Sequence, residues 1–332
     1  YSNQIKVFGQ NVDNPICKNN FIGITHTLLS FQSKNRFLAS KMIDTITKDP
    51  DKNQLIEIHN RPYLLKQIIN KTNLPVNIFF HNDPLTMKGS KTVKERNNIL
   101  DKCTAVFCVS EFIKKKFLQG INVNNQKIHV LHNGVIRELA KFPKKKKEIL
   151  FVGRLVPEKG VHLYVDVVHN IAYKFPDWEF GIIGSFRLGE NSIRENFVDK
   201  LINKFRKIGN QAKFYGFKNQ NFVQDKMQTA SIIVIPSLWE EPFGLVAAEA
   251  MSNGIAIIAS DIGGIPEIVK NNGVLIKDIN KSKLEHQLID LINNNVKRNA
   301  LQRLSWNNFE NSSENSSEKL DTFREFIFKN WF

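Results

Sequence analysis

Residues 237–269 read SLWEEPFGLVAAEAMSNGIAIIASDIGGIPEIV, and this stretch decides the fold that the sequence predicts. The apolar run 232–235 comes directly before it and predicts a buried strand. Residues 245–251 predict a helix, and 256–259 predict a second buried strand. A glycine pair, Gly263-Gly264, then precedes another helix. Two strand–loop–helix units therefore follow one another, and each places a helix N-terminus, which favours anions, after a strand.

The length and composition indicate a protein of two domains. The chain has 332 residues, of which 42% are hydrophobic, so it is long for a single core. The net charge of +15 favours an anionic partner such as a nucleic acid, a membrane surface or a phosphorylated substrate. It is equally compatible with a charge that only keeps the protein soluble, and the abundance of Lys, Asn and Ile with a coding bias rather than a binding role.

The three cysteines, Cys17, Cys103 and Cys108, form no C-x-x-C pair, which disfavours a disulfide framework or a zinc site and fits the reducing cytoplasm. No apolar run reaches the roughly 18 residues that a membrane span requires. We therefore expect a cytoplasmic protein.

Strands alternate with helices along most of the chain, which predicts an α/β fold with parallel sheets. The run KFPKKKK at 141–147 predicts a solvated linker between two such series. We expect a Rossmann-like domain at 1–143, a second at 148–303, and a helical tail at 304–332 that packs back on the first domain. The two sheets are expected to face each other across a cleft.

Three local expectations accompany this plan. Apolar residues at helical spacing from Ile22 to Thr47 predict a helix. The polar repeat from Glu310 to Ser317 predicts an interruption before a last helix at about residues 319–329. The segment Gln4–Phe8 predicts a short strand.

The loop GRLVPEKG at 153–160 carries two cations after a predicted strand. Arg154 supplies a planar fork and Lys159 a point charge, and together they could clamp a diphosphate. A solvated turn with incidental charges is the alternative. The glycine spacings of a P-loop or a dinucleotide fingerprint are absent.

The segment EPFGLV at 241–246 opens a helix and leaves the amides of Gly244, Leu245 and Val246 as donors for an anion. Glu241 beside them would repel a phosphate, so it fits sugar hydroxyls better. Glu249 is either a solvated helix residue or, if partly buried, an acceptor for ribose hydroxyls.

His59 and His81 each follow a predicted strand, where a side chain can reach a cleft or can simply be structural. Lys114–Lys116 lie on a predicted helix with apolar neighbours, which suits a membrane surface or a solvated helix face. The only Asp-x-Asp spacing considered, Asp49-Pro50-Asp51, falls in a polar turn, so no metal site is predicted.

In combination, the GRL and EKG segments, Glu241-x7-Glu249 and Gly263-Gly264 resemble the donor-site motifs of the family 4 glycosyltransferases of the GT-B fold. The resemblance covers most of the chain and is strongest from Leu150 to Ile276. The resemblance implies that Arg154 and Lys159 hold the donor diphosphate, together with the amides of Gly244, Leu245 and Val246. It implies that Glu249 binds the ribose and that Gly216 and Phe217 lie near the base. Glu241 would bind the transferred sugar, and His81 would lie near the reacting carbon.

The resemblance implies a retaining transfer of a sugar from a nucleoside diphosphate donor, expected to be UDP-linked, to a hydroxyl of a glycan or lipid-linked acceptor. The segments EIHNRP at 57–62 and FHNDP at 80–84 resemble those of bacterial lipopolysaccharide-core transferases, including N-acetylglucosaminyl ones. The expected partners are the nucleotide sugar, the acceptor and an anionic membrane contacted peripherally. Neither a nucleic acid, a metal nor a cofactor is expected.

Two alternatives stay open on the sequence alone. One is a sugar-nucleotide epimerase or a phosphorylase of the same fold, and the other is a non-catalytic basic binding protein. Members of the resembling family begin with a strand, a glycine-rich loop and a helix that have no counterpart before Phe8. We therefore expect the sequence to lack the beginning of its first domain.

Overall fold

The computed structural model describes residues 5–12, 19–25, 34–49, 53–122, 126–185 and 192–331. They form two compact units. The first comprises the described residues of Tyr1–Cys108, Ile113–Val130 and Asp321–Phe332, and the second comprises Val109–Phe112 and those of Leu131–Leu320. Gln4, Cys17, Pro50 and Asp51, all named above, lie outside the described ranges, and so do residues 26–33 of the expected helix from Ile22 to Thr47.

The first unit is built on a parallel sheet with the strand order β3-β4-β5-β6, beside a two-stranded parallel sheet of β1 and β2. Strands β4 and β5 are buried along their whole length, which explains their nearly continuous apolar sequences. Up to residue 130 the elements are β1 (Val7–Gln10), β2 (Phe21–Ile24), α1 (Lys34–Lys48), β3 (Ile56–His59), α2 (Leu65–Ile69), β4 (Val76–Phe80), α3 (Val93–Lys102), β5 (Ala105–Cys108), α4 (Glu111–Leu118) and β6 (Ile128–Val130).

The second unit is built on a six-stranded parallel sheet with the order β12-β11-β10-β7-β8-β9. Its core is continuous from Phe151 through Tyr164 to Phe180 and Phe205, all buried. From residue 131 the elements are β7 (Lys146–Val152), α5 (Val161–Ile171), β8 (Glu179–Ile183), α6 (Ser192–Arg206), β9 (Ala212–Gly216), α7 (Gln220–Thr229), β10 (Ala230–Ile235), α8 (Leu245–Ser252), β11 (Ala256–Ser260), α9 (Ile265–Val269), β12 (Val274–Ile276), α10 (Lys281–Asn293), α11 (Asn295–Asn307) and α12 (Ser313–Trp331). The part of α12 from Asp321 onward belongs to the first unit.

Two of the local expectations are wrong. Phe21–Ile24 is not the start of a helix but strand β2, because it pairs in parallel with β1, and helix α1 begins only at Lys34. The serine-rich repeat does not interrupt the last helix, since α12 begins at Ser313. The hydroxyl of Ser312 accepts a hydrogen bond from the amide of Asn315 at 3.1 Å, so serine acts here as a helix cap.

The lysine run 141–147 is only partly a solvated linker. Strand β7 begins inside it, and the Nζ of Lys145 donates to three backbone carbonyls, those of Met227 (3.3 Å), Gln228 (2.9 Å) and Asn253 (2.7 Å). These carbonyls end helices α7 and α8, where the helix dipoles favour a cation. Burial lowers the pKa of Lys145 to about 7. Lys145 therefore joins two helix ends rather than facing solvent.

Replacing Lys145 by methionine tests this role. At pH 6, below the pKa of the amine, Lys145→Met should lower the free energy of unfolding by about 1–3 kcal/mol, because three carbonyls lose their donor. Lys144→Met removes the same charge from an exposed neighbour and should change it by less than about 0.5 kcal/mol. Urea denaturation measures both variants. Equal effects would show that only the charge of the lysine run matters.

Candidate functional site

The residues predicted to bind a donor lie at the carboxyl ends of two neighbouring strands of the second unit. Strand β7 pairs with β10, and the strand order reverses between them. Open parallel sheets bind ligands at such a reversal, because the chain leaves the two strands toward opposite faces of the sheet. The loops concerned are 153–160 after β7 and 236–244 after β10.

Two close backbone approaches join these loops. The amide of Leu238 donates to the carbonyl of Glu158 at 2.8 Å. Gly160 has a left-handed φ of +66°, and a Cβ at this position would lie 1.8 Å from the carbonyl oxygen of Pro236. Only glycine permits this approach. The first loop is therefore held directly against the second.

Lys159 and Glu241 form an ion pair between the two loops. Their side chains are 23% and 12% exposed, so the pair is largely shielded but still reachable from solvent. The hydroxyl of Ser237 donates to Oε1 of Glu241 at 2.9 Å, and Ser237 itself is buried. The sequence assigned Lys159 and Glu241 to different parts of a ligand, and the structure places them in contact. Sequence reasoning missed Ser237, whose one signal was its place between the end of a strand and Glu241.

Glu249 is a buried carboxylate in helix α8, with 8% of its surface exposed. Nε2 of Gln220 donates to it at 2.7 Å. Burial raises the pKa of the Glu249 carboxyl, and the hydrogen bond from Gln220 opposes this rise. A side chain in this position is not a solvated helix residue, and it retains an oxygen that can accept a hydrogen bond from a ligand hydroxyl.

The N-terminus of helix α8 lies next to Glu241 in the chain. Gly244 precedes the helix with a left-handed φ of +98°. Its carbonyl accepts hydrogen bonds from the amides of Ala247 and Ala248, whereas the amides at the first positions of a helix have no acceptor within it. The amides of Gly244, Leu245 and Val246 thus belong to a helix end that favours an anion.

Arg154, Gly216 and Phe217 lie at the same edge of the sheet. Arg154 is exposed in the loop after β7, and within the described residues its guanidinium forms no hydrogen bond or ion pair. Gly216 ends β9, and its carbonyl accepts from the amide of Gly184 at 2.8 Å. Phe217 follows and is 63% exposed. Strand β8 lies between β7 and β9, so these two residues are two strands away from Arg154.

The glycine pair supports the loop that carries Glu241. The amide of Gly264 donates to the carbonyl of Glu241 at 2.7 Å. Gly263 has a φ of +64°, and a Cβ there would lie 2.4 Å from the carbonyl oxygen of Glu241 and 2.6 Å from its nitrogen. The pair thus supports the backbone of the Glu241 loop.

His81 lies in the first unit, directly after β4. Its Nε2 is 2.9 Å from Nδ1 of His59, and its amide donates to Oδ1 of Asn60 at 2.8 Å. Asp83 accepts from the amide of Leu85 at 2.8 Å and so caps the following turn. Sequence reasoning identified His59 and His81 as separate candidates and did not predict their contact. The signal for the contact was that each histidine follows a predicted strand.

Glu267 is a further carboxylate that sequence reasoning left without a role. It accepts from the amides of Glu111 (2.7 Å) and Phe112 (2.6 Å), and it pairs with Nε2 of His132 at 3.6 Å. Burial by itself would raise the pKa of the Glu267 carboxyl, but the nearby His132 and the hydrogen bonds from the two amides lower it below its usual value. Glu267 therefore holds the segment Val109–Phe112 in the second unit.

The described residues contain neither a cluster suited to a metal ion nor a helix suited to crossing a membrane. No group of three or more histidine, cysteine, aspartate or glutamate side chains is arranged to hold a metal ion there. Within the same ranges, no helix combines the length and the apolar character that crossing a membrane requires.

Comparison with known families assigns the chain. Residues 134–307 match Glycosyl transferases group 1, and residues 4–139 match Glycosyltransferase Family 4. The first match covers more than half of the sequence. The chain belongs to the glycosyl transferase group 1 family. The family predicted from Arg154, Lys159 and the two glutamates is thus confirmed.

Two curated relatives are similar to this group 1 chain over part of their length. The uncharacterised glycosyltransferase MJ1178 of Methanocaldococcus jannaschii is 34% identical over 239 residues, which cover 70% of this chain and 62% of the relative. The lipopolysaccharide 1,2-N-acetylglucosaminetransferase of Salmonella typhimurium is 25% identical over 199 residues, which cover 55% and 48%. The chain thus spans about three fifths or less of the length of these relatives.

Solved structures confirm the predicted GT-B fold. Anabaena HepE in complex with UDP-glucose matches with a TM-score of 0.70 at 19% identity, over 92% of this chain and 88% of HepE. At this identity the similarity establishes the fold alone.

Two glycine substitutions test the support of the Glu241 loop. Gly263→Ala should lower the free energy of unfolding by more than about 2 kcal/mol, because the left-handed backbone and the contact with Glu241 both oppose a Cβ. Gly209→Ala is the matched control: its φ is +78°, but nothing lies within 4 Å of its Cβ position, so it should cost only the 1–2 kcal/mol or so of backbone strain. Urea denaturation measures the free energy of unfolding of both variants. An equal loss in the two would contradict the explanation that crowding against Glu241 destabilises Gly263→Ala.

Proposed function

We propose that this protein is a retaining glycosyltransferase that moves a sugar from a nucleoside diphosphate donor, UDP-linked, to a hydroxyl of a glycan or lipid-linked acceptor. The observation that carries the proposal is the meeting of the β7 and β10 loops, which puts a lysine, a glutamate and a helix N-terminus at one edge of the sheet. The group 1 family membership and the UDP-glucose complex of the similar HepE fold support it.

The chemistry follows from where charge develops. As the bond between the anomeric carbon and the diphosphate oxygen breaks, negative charge accumulates on the leaving diphosphate. Arg154, Lys159 and the amides of Gly244–Val246 are proposed to stabilise this charge by fixed electrostatic contacts. The acceptor oxygen forms the new bond to the same carbon and passes its proton to the departing diphosphate oxygen, and a nucleoside diphosphate is released.

The two carboxylates are proposed to bind the uncharged parts of the donor. Glu249, buried and already oriented by Gln220, would accept hydrogen bonds from the ribose hydroxyls. Glu241, oriented by Ser237, would bind the hydroxyls of the transferred sugar. Gly216 and the exposed ring of Phe217 would lie near the base. His81 would hydrogen-bond the sugar or position the acceptor.

The nature of the acceptor is a finer part of the proposal. The similarity to a lipopolysaccharide N-acetylglucosaminetransferase supports a glycan of the cell envelope, such as a lipopolysaccharide core. The net charge of +15 and the basic residues Lys114–Lys116 of helix α4 support peripheral contact with an anionic membrane.

Variants of the two cations test the proposed transfer. Arg154→Ala and Lys159→Ala should each lower kcat/KM at least about 100-fold, because each removes a contact to the leaving diphosphate. Arg206→Ala, an exposed arginine on helix α6, is the control and should stay within about twofold. The assay follows nucleoside diphosphate release from UDP-, GDP- and ADP-sugars, with and without glycan acceptors.

The products of that assay also separate the alternatives. A released nucleoside diphosphate with a lengthened acceptor supports transfer. An isomerised nucleotide sugar or a released sugar phosphate would instead favour an epimerase or a phosphorylase. Full activity of both cation variants would contradict the site.

The ion pair predicts opposite effects on binding and on transfer for one substitution. Glu241→Gln frees Lys159, so UDP should bind as tightly as before or up to about tenfold more tightly. Transfer should nevertheless fall at least about 100-fold, because the substitution removes the negative charge and replaces one of the two carboxylate oxygens that bind the sugar hydroxyls by an NH2 donor. Glu158→Gln makes the same charge change beside Lys159 and should leave transfer within about threefold. Isothermal titration with UDP and the release assay measure the two effects, and unchanged transfer by Glu241→Gln would contradict the assignment.

A further inference from the structure

His59 and His81 occupy matching places at the ends of two paired strands in the first unit. His59 is the last residue of β3 and lies in register with Phe79 of β4, two residues before His81. The side chain of Asn60 accepts a hydrogen bond from the amide of His81 at 2.8 Å, and the amide of Asn60 donates to the carbonyl of Phe79 at 2.9 Å. The backbone thus fixes the two strand ends against each other before the rings meet.

The rings of the two histidines form a direct hydrogen bond. Nδ1 of His59 and Nε2 of His81 are 2.9 Å apart, and the ring planes differ by only 10°. One of these nitrogens must carry the proton and the other must accept it. The contact therefore couples the two rings: the tautomer of His59 determines whether Nε2 of His81 donates or accepts, and with it the role of Nδ1 of His81.

The ring of His59 is itself held by its surroundings. It stacks on Phe79 with the centroids 4.4 Å apart and the planes 12° apart, and Phe79 in turn stacks on Phe107 at 4.6 Å. Two residues before His59, the carboxylate of Glu57 receives two hydrogen bonds from Arg324, at 2.9 and 2.7 Å. His59 thus has a firm support on both its ring face and its strand.

The charge state of His59 fits a structural donor or acceptor. Burial of the ring is the main cause that lowers the pKa of His59 to about 4, and the neighbouring His81 is the second. Arg324 also lowers this pKa, whereas Glu57 raises it. His59 as a whole residue still has more than a third of its surface exposed. The ring is therefore neutral at physiological pH, and a neutral imidazole has one donor and one acceptor nitrogen.

We propose that His59 is a positioning residue that fixes the ring orientation and the tautomer of His81 through their ring-to-ring hydrogen bond. The inference rests on the proposed function only in that His81 acts on the substrate. The hydrogen bond and the tautomer exist whether or not the chain transfers a sugar.

Three variants separate the hydrogen bond from packing. His59→Phe keeps an aromatic ring on Phe79 and loses the hydrogen bond, whereas His59→Asn keeps a polar group near the place of Nδ1. His129→Phe is the matched control, because His129 lies on the same sheet and packs against Phe107 and Phe323 at ring distances of 5.6 and 4.4 Å. Thermal melting and circular dichroism establish that each variant is folded.

With UDP-glucose and UDP-N-acetylglucosamine as probes, His59→Phe should lower kcat about 10- to 100-fold and leave the donor KM within about twofold. His59→Asn should restore kcat to within about fivefold of the wild type, and His129→Phe should stay within about twofold. A drop in His129→Phe equal to that in His59→Phe, or no drop in His59→Phe, would overturn the proposal.

A second measurement does not depend on activity. In ¹⁵N-histidine NMR of the whole chain, the wild type should show a coupling between Nδ1 of His59 and Nε2 of His81 and one dominant His81 tautomer. His59→Phe should turn this into a mixture of tautomers, and His129→Phe should not. If the wild type transfers sugar from neither probe, the proposed function fails, and the NMR spectrum alone decides on the inference. The inference is overturned if the wild type shows no coupling between the two histidines and the His81 tautomer is unchanged in His59→Phe.

Discussion

The pairing of β7 with β10 is the constraint on which the rest of the second unit depends. These two strands are separated by two strands and three helices in sequence, yet they lie side by side, and the order of the sheet reverses between them. Their loops therefore meet at one edge. The approach of Gly160 to the Pro236 carbonyl is so close that any side chain at residue 160 would separate the loops, and with them Lys159 and Glu241.

Charge explains why this edge carries both signs. A lysine and a helix N-terminus favour a diphosphate, whereas a carboxylate between them opposes it. Glu241 partly neutralises Lys159, and the Ser237 hydroxyl keeps the carboxylate in one orientation. Under the proposed function, a diphosphate would compete with Glu241 for Lys159 and release the carboxylate for sugar hydroxyls. One contact would then couple the binding of the leaving group to the binding of the transferred sugar.

Features that depend on short apolar runs and on glycines could be predicted from the sequence. Features that depend on contacts between distant parts of the chain could not. The strands around 232–235 and 256–259 are buried on both faces, so their composition alone identifies them. Phe21–Ile24 is a strand only because β1 lies beside it. Lys145 looks like its exposed neighbours, and only the packing of α7 and α8 around it distinguishes it. In the same way, motif spacing marked Lys159 and Glu241, but the ion pair and the His59–His81 bond depend on strand order.

The proposed donor site requires that the second unit binds the diphosphate of a nucleotide sugar. A thermal-shift screen of the wild-type chain with UDP-glucose, UDP-N-acetylglucosamine, GDP-mannose, ADP-glucose and uridine tests it most directly, because a ligand that binds only the folded state raises Tm. Tm should rise clearly with a UDP-sugar, to a similar extent with UDP, and little with uridine. Equal shifts with uridine and UDP, or no shift with any nucleoside diphosphate, would contradict it.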